Sequence, residues 1–165
     1  MFGLGALKDD MYIVNGGPTL LADGKNSEKV WAVQGWVPIA KNEGTESLDI
    51  RDEATLTNKV KRSNRSKFYE SWINQRHPRT APGVTGNGVL VIAVIYGRNP
   101  KVSAGASIPE MADVMQSLGA IDAVNLDGGG SSAMYVGGKV TGIPSDESGE
   151  REVADALIFV LGNKE

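Results

Sequence analysis

The chain has 165 residues, 41% of them apolar and 22% charged, with a formal net charge of −3. This length suits a single domain with its own core, and the weakly acidic balance excludes a global field that would attract nucleic acid or an anionic membrane. The absence of cysteine excludes disulfides and thiolate chemistry, and the single histidine argues against a zinc site. No apolar run reaches the roughly 20 residues of a membrane span, and the N-terminus lacks a signal-peptide pattern. The expected location is therefore the cytoplasm, with no membrane partner.

In chain order, strand patterns outnumber helix patterns. Apolar or β-branched segments bounded by turn residues predict strands at 11–14, 19–22, 30–39, 79–85, 89–96, 121–124, 133–136, 139–143 and 156–161. Glycine turns at 86–88 and 137–138 predict two hairpins, and residues 68–73 have the pattern of a helical turn. The apolar segment 156–161 predicts a final buried strand. Many strands and few helices indicate an α+β fold with a mixed β-sheet core.

The segment 107–118 has the clearest helix pattern. Ser107 and Glu110 have the spacing of a capping box, and Pro109 stands in the first turn. Gly119 is typical of a residue that ends a helix. The apolar side chains at helical spacing are Ile108, Met111, Ala112, Met115 and Leu118. The pattern therefore predicts a helix that packs this face on the sheet.

The stretch Asn125-Leu126-Asp127-Gly128-Gly129-Gly130-Ser131-Ser132 is the strongest candidate for a functional site. Glycine loses more conformational entropy on folding than any other residue, so three in a row indicate a positive φ or a close approach. Amide groups freed in such a turn can form a nest that binds an anion, with the two serines as further donors. The alternative is a plain glycine turn in which Asp127 acts as a cap.

Two basic features are further candidates. Arg79 precedes Thr80 at the start of a predicted strand, and a planar guanidinium is well shaped to hold a phosphate. The alternative is an ordinary surface arginine. The basic run 59–69 indicates either a nucleic-acid patch, a loop, or a pocket wall that attracts an anion, and the acidic chain favours the loop over nucleic acid.

Several spaced motifs resemble the phosphodiester glycosidase family, in the family's order, from about Asn15 to Val160. They are Asn15-Gly16-Gly17-Pro18 with Leu20 and Asp23-Gly24-Lys25, Pro78-Arg79-Thr80-Ala81, Pro109-Glu110-Met111-Ala112, Asn125 to Ser132, and Pro144-Ser145-Asp146. The resemblance implies one such domain over residues 1–165, without metal or cofactor. Tyr96 and Asp155 depart from the family's pattern. The family's N-terminal Asn-Gly-Gly-Phe-Phe-like segment is absent from this sequence, so part of the pocket wall is expected to be trimmed or supplied by another chain.

The resemblance also implies a function and a set of site residues. The implied activity is hydrolysis of a sugar–phosphate diester between the anomeric carbon and the phosphate. The catalytic candidates are Asp127 and Asp146, and the role of Asp127 as nucleophile, base or electrostatic stabiliser stays open. The substrate-binding candidates are Arg79, Thr80, Arg98, Asn125, Gly128, Gly129, Gly130, Ser131, Ser132 and Arg151.

Two other functions are compatible with the same residues. The pocket could sequester a phosphodiester or a nucleotide-like ligand without turnover, or the domain could be a structural module of a larger assembly. The expected partners are a small sugar phosphodiester or nucleotide-like ligand and a second copy of the chain or a partner chain, with no nucleic acid.

Overall fold

The computed structural model describes residues 16–27, 31, 34, 36, 70–154 and 156–159. Its strands are β1 (Thr19–Ala22), β2 (Lys25–Asn26), β3 (Arg79–Thr85), β4 (Leu90–Ile95), β5 (Ala120–Val124), β6 (Tyr135–Val136) and β7 (Lys139–Val140). The helix α1 spans Ile108–Ser117, a short 3-10 helix spans Gly129–Ser131, and residues 70–74 are helical. The predicted strand 11–14, the basic run 59–69 and Asp155 lie outside the described residues.

Five strands form one sheet in the order β2-β1-β5-β3-β4. The α+β class with few helices is confirmed. The described pairings are all antiparallel, however, and not mixed as expected. The reason is topological: α1 connects β4 to β5, which run in the same direction, but β3 lies between them, so the two parallel strands are never neighbours.

Helix α1 forms as its sequence predicts and covers the sheet. The Ser107 hydroxyl accepts from the Glu110 amide, and the Glu110 carboxylate accepts from the Ser107 amide at 2.8 Å, which completes the capping box. The buried face consists of Ile108, Met111, Ala112 and Met115, while Leu118 is 49% exposed and lies outside it. These side chains join Leu20, Leu21 and Ala123 in the core. None of the helices in the described ranges has the length and apolarity to cross a membrane.

Two predicted strands differ in their described parts. Within 30–39 the structure describes residues 31, 34 and 36 alone: Trp31 is helical, Gln34 is in a turn, and their side chains bind the Thr19 backbone and hydroxyl. Residues 156–159 have no strand pairing, and Ile158 is 80% exposed. The apolar pattern there does encode β-propensity, but a strand also needs a neighbour with free hydrogen-bonding groups.

The hairpins at the predicted glycine turns are present. Strands β3 and β4 pair from Arg79↔Ile95 to Val84↔Leu90, and β6 pairs with β7 around Gly137 and Gly138. The second hairpin is shorter than predicted, with two residues in each strand. The β3–β4 register places Ile95, the last residue of β4, beside Arg79. The loop that follows β4 therefore begins at the same end of the sheet as β3.

Candidate functional site

Three loops meet at one end of the sheet, where β3 begins and where β4 and β5 end. The Leu126 amide after β5 donates to the Thr80 carbonyl at 2.8 Å, and the Gly129 amide donates to the Pro78 carbonyl at 3.0 Å. The segment 16–18 is bonded to the same loop, because the Gly17 amide donates to the Asn125 carbonyl at 2.7 Å. Residues 16–18 and the motifs at 78–81 and 125–132 are therefore neighbours in space.

The glycine loop is shaped by close approaches. Gly129 has φ +63°, which confirms the predicted positive φ, and a β-carbon there would lie 2.9 Å from Arg98 Nη2. A β-carbon at Gly130 would lie 2.5 Å from Asp146 Cγ and 2.7 Å from Arg151 Cζ. Gly128 packs in the same way against the Pro78 carbonyl and the Trp72 ring. The absence of side chains at these three glycines thus lets atoms of other segments lie against the loop backbone.

The expected anion nest is not formed by these amides. The Gly128 amide donates to Asp127 Oδ1 at 2.8 Å, and the Gly129 amide is taken by Pro78. Two of the three glycine amides are therefore used within the protein. The physical reason is that a buried amide is satisfied by the nearest acceptor, and the loop folds back on β3 and on its own carboxylate.

Arg98, Asp146 and Arg151 form an ion cluster on the outer side of this loop. Arg98 Nη1 is 2.7 Å from Asp146 Oδ1, and Arg151 Nη2 is 2.7 Å from Asp146 Oδ2. Asp146 is the most buried of the three, with 20% of its side chain exposed, and the arginines are 44% and 48% exposed. One carboxylate thus pairs with two guanidinium groups, and both guanidinium-bearing side chains remain partly exposed to solvent.

The backbone of Arg98 supports the idea that this cluster is a site. Arg98 has φ +60°, a conformation that non-glycine residues rarely adopt. Such a conformation persists only where the surroundings hold it, and it recurs at ligand sites. Here the guanidinium is held between Asp146 and the backbone of Gly129. The positive φ of Arg98 therefore goes together with the position of its guanidinium group.

Arg79 lies elsewhere than the sequence predicts. Its side chain is fully buried and donates to the carbonyls of Ala106, Trp72 and Gln75 at 2.9, 2.5 and 3.1 Å. Its guanidinium also lies 4.5 Å from the centre of the Trp72 ring, and burial lowers its pKa to about 10. The expected exposed phosphate clamp is thus wrong for Arg79. Its fork geometry instead ties three backbone segments together behind the glycine loop.

The remaining predicted residues divide into buried and accessible groups. Asn125 is buried and donates to the carbonyls of Gly17 and Leu126 at 3.0 and 2.7 Å. The Thr80 hydroxyl donates to the buried Ser132 hydroxyl at 3.2 Å. Ser131 is half-buried, whereas Asp127 is exposed at the tip of the loop. Asp127 is accordingly the accessible carboxylate of the glycine segment.

Two residues of this region carry no functional pattern in the sequence. The Trp72 ring contacts Gly128 and stacks on His77, with ring centres 6.0 Å apart. Desolvation lowers the pKa of His77, and its Nε2 lies 3.1 Å from the Ser71 carbonyl. Both side chains form the wall behind the loop. Within the described ranges, no three His, Cys, Asp or Glu side chains gather in a way that could hold a metal ion.

The fold and this loop cluster define a class of protein. The family model of the phosphodiester glycosidases matches residues 5–160, so the chain belongs to the phosphodiester glycosidase family. The chain is 42% identical over 85 residues to an uncharacterized SPbeta prophage-derived protein of Bacillus subtilis, a match that covers 52% of this chain and 13% of that protein.

A second relative is the human N-acetylglucosamine-1-phosphodiester alpha-N-acetylglucosaminidase. It is 29% identical over 118 residues, which covers 71% of this chain and 20% of that enzyme. The catalytic domain of the zebrafish enzyme of that name, auto-inhibited by its pro-peptide, superposes with a TM-score of 0.54 at 20% identity, over 81% of this chain and 35% of that one. This structural likeness shows a shared fold. The chain spans only 13% to 20% of the two curated relatives.

Proposed function

We propose that the protein hydrolyses sugar–phosphate diesters at the bond between the anomeric carbon and the bridging oxygen. Water supplies a hydroxyl to the anomeric carbon, and the bridging oxygen leaves with the phosphate as a monoester. The family supports the reaction class. The name of the human relative supports N-acetylglucosamine as the first sugar to test.

The observation that carries the proposal is the pair of partly exposed guanidinium groups in the Arg98–Asp146–Arg151 cluster. A phosphate monoester is a good leaving group, so a site for this reaction needs an anion clamp more than a strong acid. Charge-assisted hydrogen bonds from guanidinium groups are suited to that purpose. Arg98 and Arg151 keep 44% and 48% of their side chains exposed beside Asp146. They therefore take the place that the sequence assigned to Arg79.

Asp127 is the carboxylate proposed to face the sugar. It is exposed three residues beyond the end of β5, and the Gly128 amide donates to its Oδ1 at 2.8 Å. A carboxylate next to the anomeric carbon stabilises the oxocarbenium-like transition state or attacks it. Because it would repel the phosphate at short range, Asp127 belongs on the sugar side of the scissile bond. The ion cluster lies against the same loop, at Gly129 and Gly130.

The test combines two substitutions with matched controls. Wild-type protein is incubated with N-acetylglucosamine-1-phosphodiesters, and products are read by mass spectrometry. Asp127→Asn should keep binding and lose turnover, while Asp113→Asn, an exposed aspartate on α1, should change neither. Arg98→Ala should weaken ligand binding, and Lys101→Ala in the same loop should not. Full activity in Asp127→Asn, or undiminished affinity in Arg98→Ala, would contradict the assigned roles.

One observation favours a second candidate, in which the site binds a phosphodiester without cleaving it. Both carboxylate oxygens of Asp146 are engaged by arginines, so this residue is poorly placed to act as a base. Of the two predicted catalytic carboxylates, Asp127 alone would then be available, where many glycosidases use two. Calorimetric binding of the diesters with no product after prolonged incubation would decide for this sequestering function.

A further inference from the structure

An apolar cleft of about 220 Å³ adjoins the ion cluster. The apolar part of its lining comes from Tyr96, Gly97, Val102, Gly142 and Ile143. Val102 is 66% exposed and Ile143 is 57% exposed. Exposed apolar side chains that converge on a concavity are a common mark of a ligand site.

The cleft and the ion cluster are built from the same two segments, 96–103 and 142–151. Gly97 lines the cleft and precedes Arg98, and Ile143 lines the cleft three residues before Asp146. The Gly97 amide donates to the Ser145 hydroxyl at 3.3 Å, which joins the two segments between cleft and cluster. In both segments a residue of the ion cluster thus follows a residue that lines the cleft within one to three positions.

The walls of the cleft are held before any ligand arrives. The Met134 amide donates to the Tyr96 hydroxyl at 3.2 Å, and the Ser103 hydroxyl donates to the Tyr96 carbonyl at 2.5 Å. A β-carbon at Gly142 would lie 2.7 Å from Tyr96 Cζ, so the ring packs directly on the glycine backbone. Asn99 and Ser103 exchange backbone hydrogen bonds of 3.1 and 2.7 Å. Such preorganisation lowers the entropic cost of binding.

The size of the cleft limits its occupant. A cavity of about 150 Å³ lined by apolar side chains can take benzene, whereas sites for whole drug-sized ligands run from about 300 Å³ upward. The cleft therefore suits one ring or a short alkyl chain. It is a subsite that extends a larger binding site.

We infer that this cleft binds an apolar group, one ring or a short alkyl chain, on the alcohol side of the phosphodiester. The inference rests on the proposed function, because it takes Arg98 and Arg151 as the phosphate clamp. Asp127 precedes the glycine loop in the chain, Gly129 of that loop lies against Arg98, and Gly97 next to Arg98 lines the cleft. With the sugar at Asp127 and the phosphate at the arginines, the group beyond the phosphate reaches the cleft. The substrate class is thus a sugar-1-phosphodiester of an apolar alcohol.

The test uses binding, so that it does not depend on turnover. Calorimetry compares benzyl phosphate with methyl phosphate on the wild type, on Val102→Ser with Ile143→Ser, and on Val89→Ser. Val89 is 53% exposed in the turn at the other end of β3 and β4 and serves as the matched control. Because the replaced side chains are exposed, all variants should fold.

The wild type should bind benzyl phosphate about tenfold or more tightly than methyl phosphate, since differences of one or a few apolar carbons are worth that much in a fitted pocket. The cleft variant should lower this ratio toward one with methyl phosphate affinity unchanged, and Val89→Ser should keep the ratio. Equal affinity for both esters in the wild type, or a ratio unaffected by the cleft substitutions, overturns the inference and leaves the anion site standing. If neither ester binds, the proposed anion clamp fails and the inference falls with it.

Discussion

Gly130→Ala tests whether the glycine loop and the ion cluster are one packed unit. The new methyl group would lie 2.5 Å from Asp146 Cγ and 2.7 Å from Arg151 Cζ, well inside van der Waals contact. Gly130 does not have a positive φ, so backbone strain does not contribute. The substitution should therefore cost about 1–3 kcal/mol, the usual range for overpacking. The Asp146 carboxylate would have to leave at least one of its two arginines.

A double-mutant cycle with Asp146→Ala isolates the contact. Removing the carboxylate opens the space that the methyl group needs and also frees the Arg151 side chain to move. Because the ion pairs are partly exposed, Asp146→Ala alone should cost only about 1 kcal/mol. Gly130→Ala should then cost much less in that background, with a coupling energy of about 1 kcal/mol or more. Urea denaturation midpoints with constant slopes provide the measurement.

Gly86→Ala is the matched control for this cycle. Gly86 also lacks a positive φ, and the atom nearest to a β-carbon there would be Ile121 Cδ1 at 4.0 Å. Gly86→Ala should leave the free energy of unfolding unchanged or raise it by about 0.4–1 kcal/mol, because alanine restricts the unfolded chain. The reasoning is refuted if Gly130→Ala behaves like Gly86→Ala, or if the costs of Gly130→Ala and Asp146→Ala simply add.

The other predictions concern the helix and the edge of the sheet. Ser107→Ala should lower the free energy of unfolding by about 1 kcal/mol through loss of the cap. Met115→Asp should lower it much further, since the Met115 side chain is fully buried. An unchanged unfolding midpoint in Met115→Asp would refute the packing of α1. Hydrogen bonds from Arg76 and from the Ser107 amide lower the pKa of Glu110 to about 2. The stabilisation from Glu110 should thus be complete above about pH 4.5 and be lost as the pH falls toward about 2, and Glu110→Gln should remove this part of the pH dependence of unfolding. Among the described strands, β4 is an edge strand with an apolar sequence, and Ile158 is 80% exposed. We therefore expect a second copy or a partner to cover the β4 edge. Light scattering that reports a monomer at every concentration would count against self-association.

The local elements of this protein can be read from its sequence because short-range chemistry determines them. The capping box at Ser107 and Glu110 and the apolar spacing up to Met115 place α1 correctly, since both depend on residues three or four apart. The glycine turns place the two hairpins, and Gly129 has the positive φ that its run of glycines predicts. The family resemblance is likewise carried by short motifs in a set order.

Tertiary packing decided what those motifs do. The sequence could not show that Arg79 is enclosed by three carbonyls, because its acceptors come from residues 72, 75 and 106. It also could not show that Arg98 and Arg151, 53 positions apart, share the carboxylate of Asp146 on the backbone of Gly130. Whether an arginine binds a ligand or the protein itself depends on which acceptors surround it, and those acceptors are brought together only by the antiparallel sheet. The same reason explains residues 156–159, whose β-propensity has no effect without a neighbouring strand.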